Sequence, residues 1–267
     1  DAQRYPRLSR ITYPADLRQF DEAELLDRVR SPGCVGCDLL VVPRLPAFVT
    51  QTTTGDHIGS VPIMRIRTPP LDGISWALKR VFDVVISVSA LLVLAPVMAV
   101  VALAVRLEGG PGVIFRQARV GRDGRHFECL KFRSMRPDDE GESATQWSIV
   151  GDDRVGPVGR LLRRTSLDEL PQLWNILRGD ITLVGPRPER PHFVEKFSSE
   201  HPRYGHRHRV PAGLTGLAQV SGLRGADTPI SDRARFDNFY IENWSLLLDL
   251  RIIFRTLLVG FSHPNAY

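Results

Sequence analysis

From Val84 to Val105 the chain reads VVISVSALLVLAPVMAVVALAV, free of charged side chains, with Lys79, Arg80 and Asp83 before it and Arg106 after it. As an ideal helix rising ~1.5 Å per residue such a run is ~33 Å long, enough to cross the hydrocarbon of a bilayer. No other stretch of the 267 residues resembles it, so any fold must find this segment an apolar environment. It lies far from the N-terminus and no small-residue cleavage site follows it, which argues against a signal peptide. Two features argue against simple crossing. Pro96 sits mid-run, lacks an N–H and presses its ring on the carbonyl four residues back, so it is expected to break or bend the helix. Basic residues flank both ends, so the positive-inside bias selects no outer end, as in a segment that dips in and returns to one face. From these residues alone a re-entrant and a spanning helix both stand, and a core helix apolar all round is a third reading.

Outside that run the composition is that of an ordinary globular chain. With 43% hydrophobic and 24% charged residues, a disordered, collagen-like or coiled-coil chain is excluded, and a single apolar run argues against a polytopic membrane protein. Three cysteines, Cys34, Cys37 and Cys129, are too few for a disulfide scaffold and suit reduced thiols. The lone C-x-x-C lacks the second ligand pair that a closed zinc site needs. A net charge of +5 suits phosphate-bearing partners or an anionic membrane surface.

Residues 1–72 read as a soluble piece, with helical spacing over Phe20–Arg30 and a strand over Asp38–Pro43, the tail of an α/β domain or a small docked element. The Pro and Gly of Thr68–Gly73 mark a boundary, leaving 73–267 as a second domain. There, Val113–Phe115 and Phe127–Phe132 are strand-like about a turn at Gly121–Gly124, and Pro137–Ser148 reads as an exposed loop. Leu167, Leu170, Leu173, Trp174 and Leu177 recur at helical intervals. WSLLLDLRIIFRTLLVGF, near the C-terminus, combines a wide apolar face with Asp249, Arg251 and Arg255, which suits either a helix in the membrane interface or one packed on the core.

Chemistry concentrates in three places. Asp168 and Glu169 stand in RRTSLDELPQL behind Arg163 and Arg164; adjacent helical side chains diverge by ~100°, so both can border one pocket without pointing the same way. Ser166 and Glu169 also have capping-box spacing, although Pro171 would then fall beyond the first turn. A carboxylate beside two arginines is expected to stay ionised, able to attack phosphorus or hold a metal ion. In VGPRPER, two prolines pin Arg187 and lower the entropic cost of presenting its planar fork to phosphate; a turn with an exposed arginine is the plainer reading. In KFRSM, strand alternation sends Lys131 and Arg133 to one face and Phe132 to the other. The basic cluster HPRYGHRHR, with His201, His206 and His208, is expected to meet lipid headgroups or solvent rather than a metal. No Walker loop, G-x-S-x-G or H-E-x-x-H occurs, so NTPase, serine-hydrolase and zincin readings lack support.

Taken in order, LKRVFDVVIS, the proline-interrupted apolar run, GPGVIFRQARVGRDGRHFECLKFRSM, RRTSLDELPQLWNILRGDITLVGPRP, RVPAGLTGLAQVSGLRG and FDNFYIENWSLLLDLRIIFRTL resemble the bacterial sugar transferases, the monotopic polyprenyl-phosphate phosphoglycosyl transferase family. LLVVP and GSVPIMRIRTPPLDG look like the end of the Rossmann-like domain that precedes the catalytic part in larger members. The resemblance implies an α+β, mostly helical monotopic membrane protein with a re-entrant helix over about 76–106 broken at Pro96, interfacial amphipathic helices and a small β element. It implies transfer of a sugar 1-phosphate from a UDP-sugar to undecaprenyl phosphate at the cytoplasmic face of the bacterial inner membrane, with Mg²⁺ as cofactor. Asp168 matches the nucleophile and Glu169 its partner acid, the pair that would hold Mg²⁺; Lys131, Arg163 and Arg187 match phosphate-binding positions, with Arg224 a further candidate. Where some members have serine before the proline, this chain has Ala95. A non-catalytic membrane scaffold for polysaccharide assembly is the alternative; nucleic-acid binding is disfavoured by the apolar run. The chain is compatible with a homo-oligomer, and its sequence names neither the sugar nor the pathway.

Overall fold

The computed structural model describes residues 39–41, 56–58, 61–66, 73–110, 112–135, 154–201, 203–223 and 228–260. The helix expected over Phe20–Arg30, the Cys34–Cys37 pair, the loop Pro137–Ser148 and Arg224 lie outside the described residues. The chain divides into two compact units, Asp1–Thr68 and Pro69–Tyr267. In the first, β3 (Val61–Ile66) lies between β1 (Leu39–Val41) and β2 (Asp56–Ile58), antiparallel to both, with Leu39 opposite Ile66 and Asp56 opposite Ile63. A Rossmann-like parallel sheet is not among the described residues of this unit.

The second unit is mostly helical with two small sheets. It begins with α1 (Gly73–Gly109), which ends where Gly110, at φ +76°, returns its N–H to the Arg106 carbonyl at 3.1 Å. The expected break at Pro96 is not a break of secondary structure, because α1 stays helical through it. A proline in mid-helix removes one hydrogen bond and crowds one carbonyl, a local cost that a long run of helix-compatible residues absorbs. The most apolar window of α1 has a mean hydropathy of 2.7 and only 11% of it is buried, which sets aside the core-helix reading. Burial falls on the flanks. Lys79, Asp83 and Ser87 are buried on one side and Val101 and Val105 on the other, with no buried residue between Ser87 and Val101.

Lys79 and Asp83 are therefore not a water-facing membrane flank. Lys79 Nζ pairs with Asp249 Oδ2 at 2.6 Å, and Asp83 accepts from the Thr182 hydroxyl. Asp249 belongs to α7 (Leu246–Gly260) and also accepts from Tyr240 Oη at 2.8 Å and Trp244 Nε1 at 3.3 Å. α7 packs on the core along one side, as one of the two sequence-based readings expects, and keeps an exposed apolar side. It buries Asp249 and Ile252 against the core while leaving Leu247, Leu250, Phe254, Leu257 and Leu258 exposed.

The hairpin of β4 (Ile114–Val120) and β5 (His126–Phe132) forms where the strand-like runs and their glycine turn predict it, in the register Phe115 opposite Lys131. Phe132 is buried with Val101, Val105 and Leu162. α2 (Pro157–Thr165) starts on a proline, and Glu108, from the end of α1, accepts from the Val158 and Gly159 N–H groups at 2.8 and 3.3 Å. After α3 (Gln172–Arg178), β6 (Thr182–Val184) pairs in parallel with β7 (Gly213–Thr215). This pairing gives no signal in periodicity. It requires glycine, since a Cβ on Gly213 would stand 2.1 Å from the Gly185 nitrogen. The main core gathers Ile176, Ile181, Val184, Ile241 and Ile252 beneath this pair.

Between β6 and β7 lie α4 (Pro191–Glu200) and a 3-10 turn, Tyr204–Arg209; after β7 come α5 (Leu217–Val220) and α6 (Ile230–Glu242). The basic cluster expected to face headgroups or solvent instead turns inward at its centre. Tyr204, Arg207 and Arg209 are buried, and Arg207 Nη2 pairs with Asp237 Oδ2 of α6 at 2.7 Å. Composition alone does not distinguish a cationic surface from cations drawn inward by acids distant in sequence.

Candidate active site

Ser166 decides how the two acids are presented. It adopts the left-handed conformation (φ 56°, ψ 18°) and ends α2, its N–H meeting the Arg163 carbonyl at 3.2 Å. The chain then forms a separate 3-10 turn, Leu167–Glu169, with no side-chain cap, before Pro171 opens α3. The capping-box alternative is thereby overturned, as is a single continuous helix. A non-glycine residue held at positive φ is uncommon, and such strain concentrates at functional sites.

Four of the expected residues meet here. Lys131, at the end of β5, extends its Nζ to 2.8 Å from Glu169 Oε1 and 3.9 Å from Asp168 Oδ2. Arg187, in the loop after β6, brings Nη2 to 2.7 Å from the same Glu169 Oε1. Asp168 is 8% exposed and accepts no hydrogen bond among the described residues. Burial pushes its pKa up to about 6; the cations Lys131, Arg187 and Arg163 oppose the rise and the Glu169 charge adds to it. The charges that hold Asp168 ionised at neutral pH against its burial come from Lys131 and Arg187 as well as from the preceding Arg163. Arg163 turns its Nε to Ser134 Oγ at 3.0 Å, and Arg164 is exposed. Glu169 is the opposite case. Burial alone would raise it, but the charges and hydrogen bonds of Arg187 and Lys131 outweigh that and hold it well below the usual carboxylate range. Arg187 is driven further toward its protonated form by the Glu169 charge.

Residues that motif reading missed support this group from behind. Asn175, fully buried in α3, accepts from the Leu130 N–H at 3.0 Å and donates to the Glu128 carbonyl at 2.7 Å, so it fixes the strand that carries Lys131. Beyond Arg187, the buried Glu189 pairs with Arg233 at 3.0 Å and Arg119 at 3.7 Å. Arg119 also donates to the Pro188 carbonyl at 3.0 Å. Only the clustering of charge in VGPRPER hinted at this second ion group, because its partners come from β4 and α6. Cys129 is buried beside it, and burial pushes its thiol pKa up, which makes it inert.

The arrangement can do specific chemistry. A shielded carboxylate whose pKa lies near 6 is ionised at neutral pH yet more basic than a solvated aspartate, a suitable nucleophile, and two fixed cations beside it suit phosphate oxygens.

Comparison with known proteins places this geometry in a lineage. A UDP-glucose:undecaprenyl-phosphate glucose-1-phosphate transferase of Klebsiella pneumoniae is 38% identical over 250 residues, 92% of this chain and 54% of that protein. One of the same name from Caulobacter vibrioides is 44% identical over 192 residues, 71% of this chain and 72% of that protein. The exopolysaccharide production protein PSS of Rhizobium leguminosarum bv. phaseoli is 43% identical over 199 residues, 71% of this chain and 98% of that protein. The chain spans about half the length of the Klebsiella relative. The family described as Bacterial sugar transferase matches residues 74–263, a span that holds Asp168, Glu169, Lys131 and Arg187, and the chain belongs to that family.

Proposed function

We propose that the chain transfers a sugar 1-phosphate from a UDP-sugar to undecaprenyl phosphate through a covalent aspartyl phosphosugar, releasing UMP, as the first membrane step of a surface or secreted polysaccharide. The observation that carries this is Asp168, a buried carboxylate free of hydrogen-bond donors among the described residues, beside two cations that Glu169 holds in place. The substrate classes come from the names of the Klebsiella and Caulobacter relatives.

In the first step an Asp168 oxygen bonds to the phosphorus nearest the sugar, and the bond from that phosphorus to UMP breaks, its electron pair leaving with UMP. In the second, a phosphate oxygen of the polyprenyl carrier bonds to the same phosphorus and Asp168 departs as carboxylate. Lys131 and Arg187, already partly desolvated and fixed by Glu169, offer the diphosphate oxygens preset donors, and Glu169 keeps the two cations from repelling each other. Mg²⁺ fits the donor set, because it binds through one or two carboxylates and completes its shell with substrate phosphates and water. Asp168 accepts no hydrogen bond among the described residues, and Lys131 and Arg187 converge on one oxygen of Glu169. Among the described residues no cluster of three His, Cys, Asp or Glu forms, so the diphosphate would supply the remaining ligands. When bound, Mg²⁺ neutralises charge on the diphosphate and the leaving group.

A re-entrant α1, with both ends on one membrane side, is supported by how its flanks dock. Lys79 binds Asp249 near one end and Glu108 binds the start of α2 near the other, both within the same compact unit, while the proline-bearing middle stays unburied. The exposed apolar side of α7 supplies a second membrane-facing surface. The test is a panel of UDP-sugars assayed for UMP release with Mg²⁺ before any lipid acceptor is added. Release from one of them, with the phosphosugar recovered on Asp168 by mass spectrometry, is the expected result. Normal turnover by Asp168→Asn would overturn the covalent route.

A further inference from the structure

Arg187 is held by more than its two prolines. While its guanidinium reaches Glu169 Oε1 at 2.7 Å, its backbone carbonyl accepts a hydrogen bond from Arg207 Nη2 at 2.8 Å. Arg207 is 1% exposed, donates from Nη1 to Tyr204 Oη at 2.8 Å, lies 5.1 Å from the centre of the Tyr204 ring and pairs with Asp237 Oδ2 at 2.7 Å. Three groups from two elements thus keep one guanidinium fixed against the main chain of a site residue.

The neighbouring carbonyls are held differently. Pro186 accepts from the Gly213 N–H at 2.8 Å and Glu189 from the Val120 N–H at 2.9 Å, both backbone donors, while Pro188 accepts from the partly exposed Arg119 at 3.0 Å. Of the two arginines that donate to carbonyls of this segment, Arg207 is the more deeply buried, its side chain 1% exposed against 16% for Arg119, and it reaches Arg187 itself. Stability is a poor reason for that charge, since buried ion pairs are often replaced by apolar side chains without loss. What an apolar replacement cannot do is satisfy the Arg187 carbonyl, and an unsatisfied buried carbonyl would let the loop shift.

We propose that Arg207, oriented by Tyr204 and Asp237, is a positioning residue that sets where the Arg187 guanidinium meets the diphosphate. This rests on the reading of Arg187 as a phosphate-binding residue. A shift of ~1 Å in such a group costs as much as ~100-fold in rate.

The test uses the full chain in lipid nanodiscs with Mg²⁺. UDP binding is measured by calorimetry and radiolabelled UMP release is followed from the UDP-sugar that turns over. Tyr204→Phe, Asp237→Asn and Arg207→Lys are compared alone and in an Arg187→Ala background, with thermal melting to report on the fold. Tyr204→Phe removes a single oxygen and is the variant that serves if the others do not fold. Each single variant is expected to weaken UDP binding and lower kcat/KM about tenfold, with no further loss in the Arg187→Ala background. Losses that multiply fully with Arg187→Ala, or unchanged binding and kcat/KM, would overturn the positioning role. Wild-type UDP binding and turnover in Arg187→Ala alone would instead remove the phosphate role beneath it.

Discussion

Asp168 and Glu169 are adjacent on one 3-10 turn, yet Glu169 Oε1 lies within 2.8 Å of two cations while Asp168 comes no closer than 3.9 Å to one. The two carboxyls are thereby pushed apart in acidity, Asp168 upward by burial and Glu169 downward by its partners. Such a division lets two carboxyls in one site take different roles.

Asp168→Asn is expected to abolish transfer and to stabilise the protein at neutral pH. Raised from 3.8 to about 6, the Asp168 pKa means that the folded state binds this proton more tightly than the unfolded state. Stability linked to it is complete below the unfolded value and is lost as pH rises through about 6. Removing the ionised carboxylate at pH 7.5 should return about 3 kcal/mol, and the gain should shrink to nothing below the unfolded pKa. Thermal melts of both proteins across that range would check it; a constant difference at all pH values would contradict the assignment.

Glu169→Gln should lower kcat/KM by about 100-fold and also move the acid limb of the pH–rate profile. The Glu169 charge raises the Asp168 pKa, and its loss also frees Lys131 and Arg187 to stabilise the Asp168 anion. Both effects shift the limb to lower pH. A limb that stays in place, or moves up, would show that Asp168 does not set it.

Ser166→Gly should be tolerated, because glycine adopts φ 56° without penalty, whereas Ser166→Val should cost about 1–2 kcal/mol and displace the acids. Denaturant unfolding with parallel activity assays would separate the two. Equal behaviour of the two variants would mean that the left-handed turn is not maintained in solution.

Lys79→Met leaves Asp249 buried without its cation and should cost about 3–5 kcal/mol. Combining it with Asp249→Leu should recover part of that loss, because the Asp249 charge is then no longer buried without its cation, while Asp83, 3.8 Å from Lys79, still lacks one. Double-mutant analysis of unfolding gives the coupling, and simple additivity would contradict a direct pair.

Cysteines introduced at Ile74 and Leu107, exposed at the two ends of α1, should be modified from the same side of a sealed vesicle by an impermeant maleimide. Labelling from opposite sides would replace the re-entrant helix with a spanning one and leave the chemistry untouched.

The sequence by itself determined the apolar anchor, the β4–β5 hairpin and the set Asp168, Glu169, Lys131 and Arg187. Each is carried by local information, namely a long charge-free run, strand-forming residues around a glycine turn, and reactive groups clustered within short motifs. The tertiary structure alone decided that Ser166 breaks the helix, that Lys79 and Asp83 turn inward, that β6 and β7 pair in parallel and that Arg207 is part of the interior. Those outcomes depend on partners far along the chain, such as Asp249 for Lys79 and Asp237 for Arg207. A buried charge is stable only when its counter-charge arrives in space, and no local pattern records where that partner comes from.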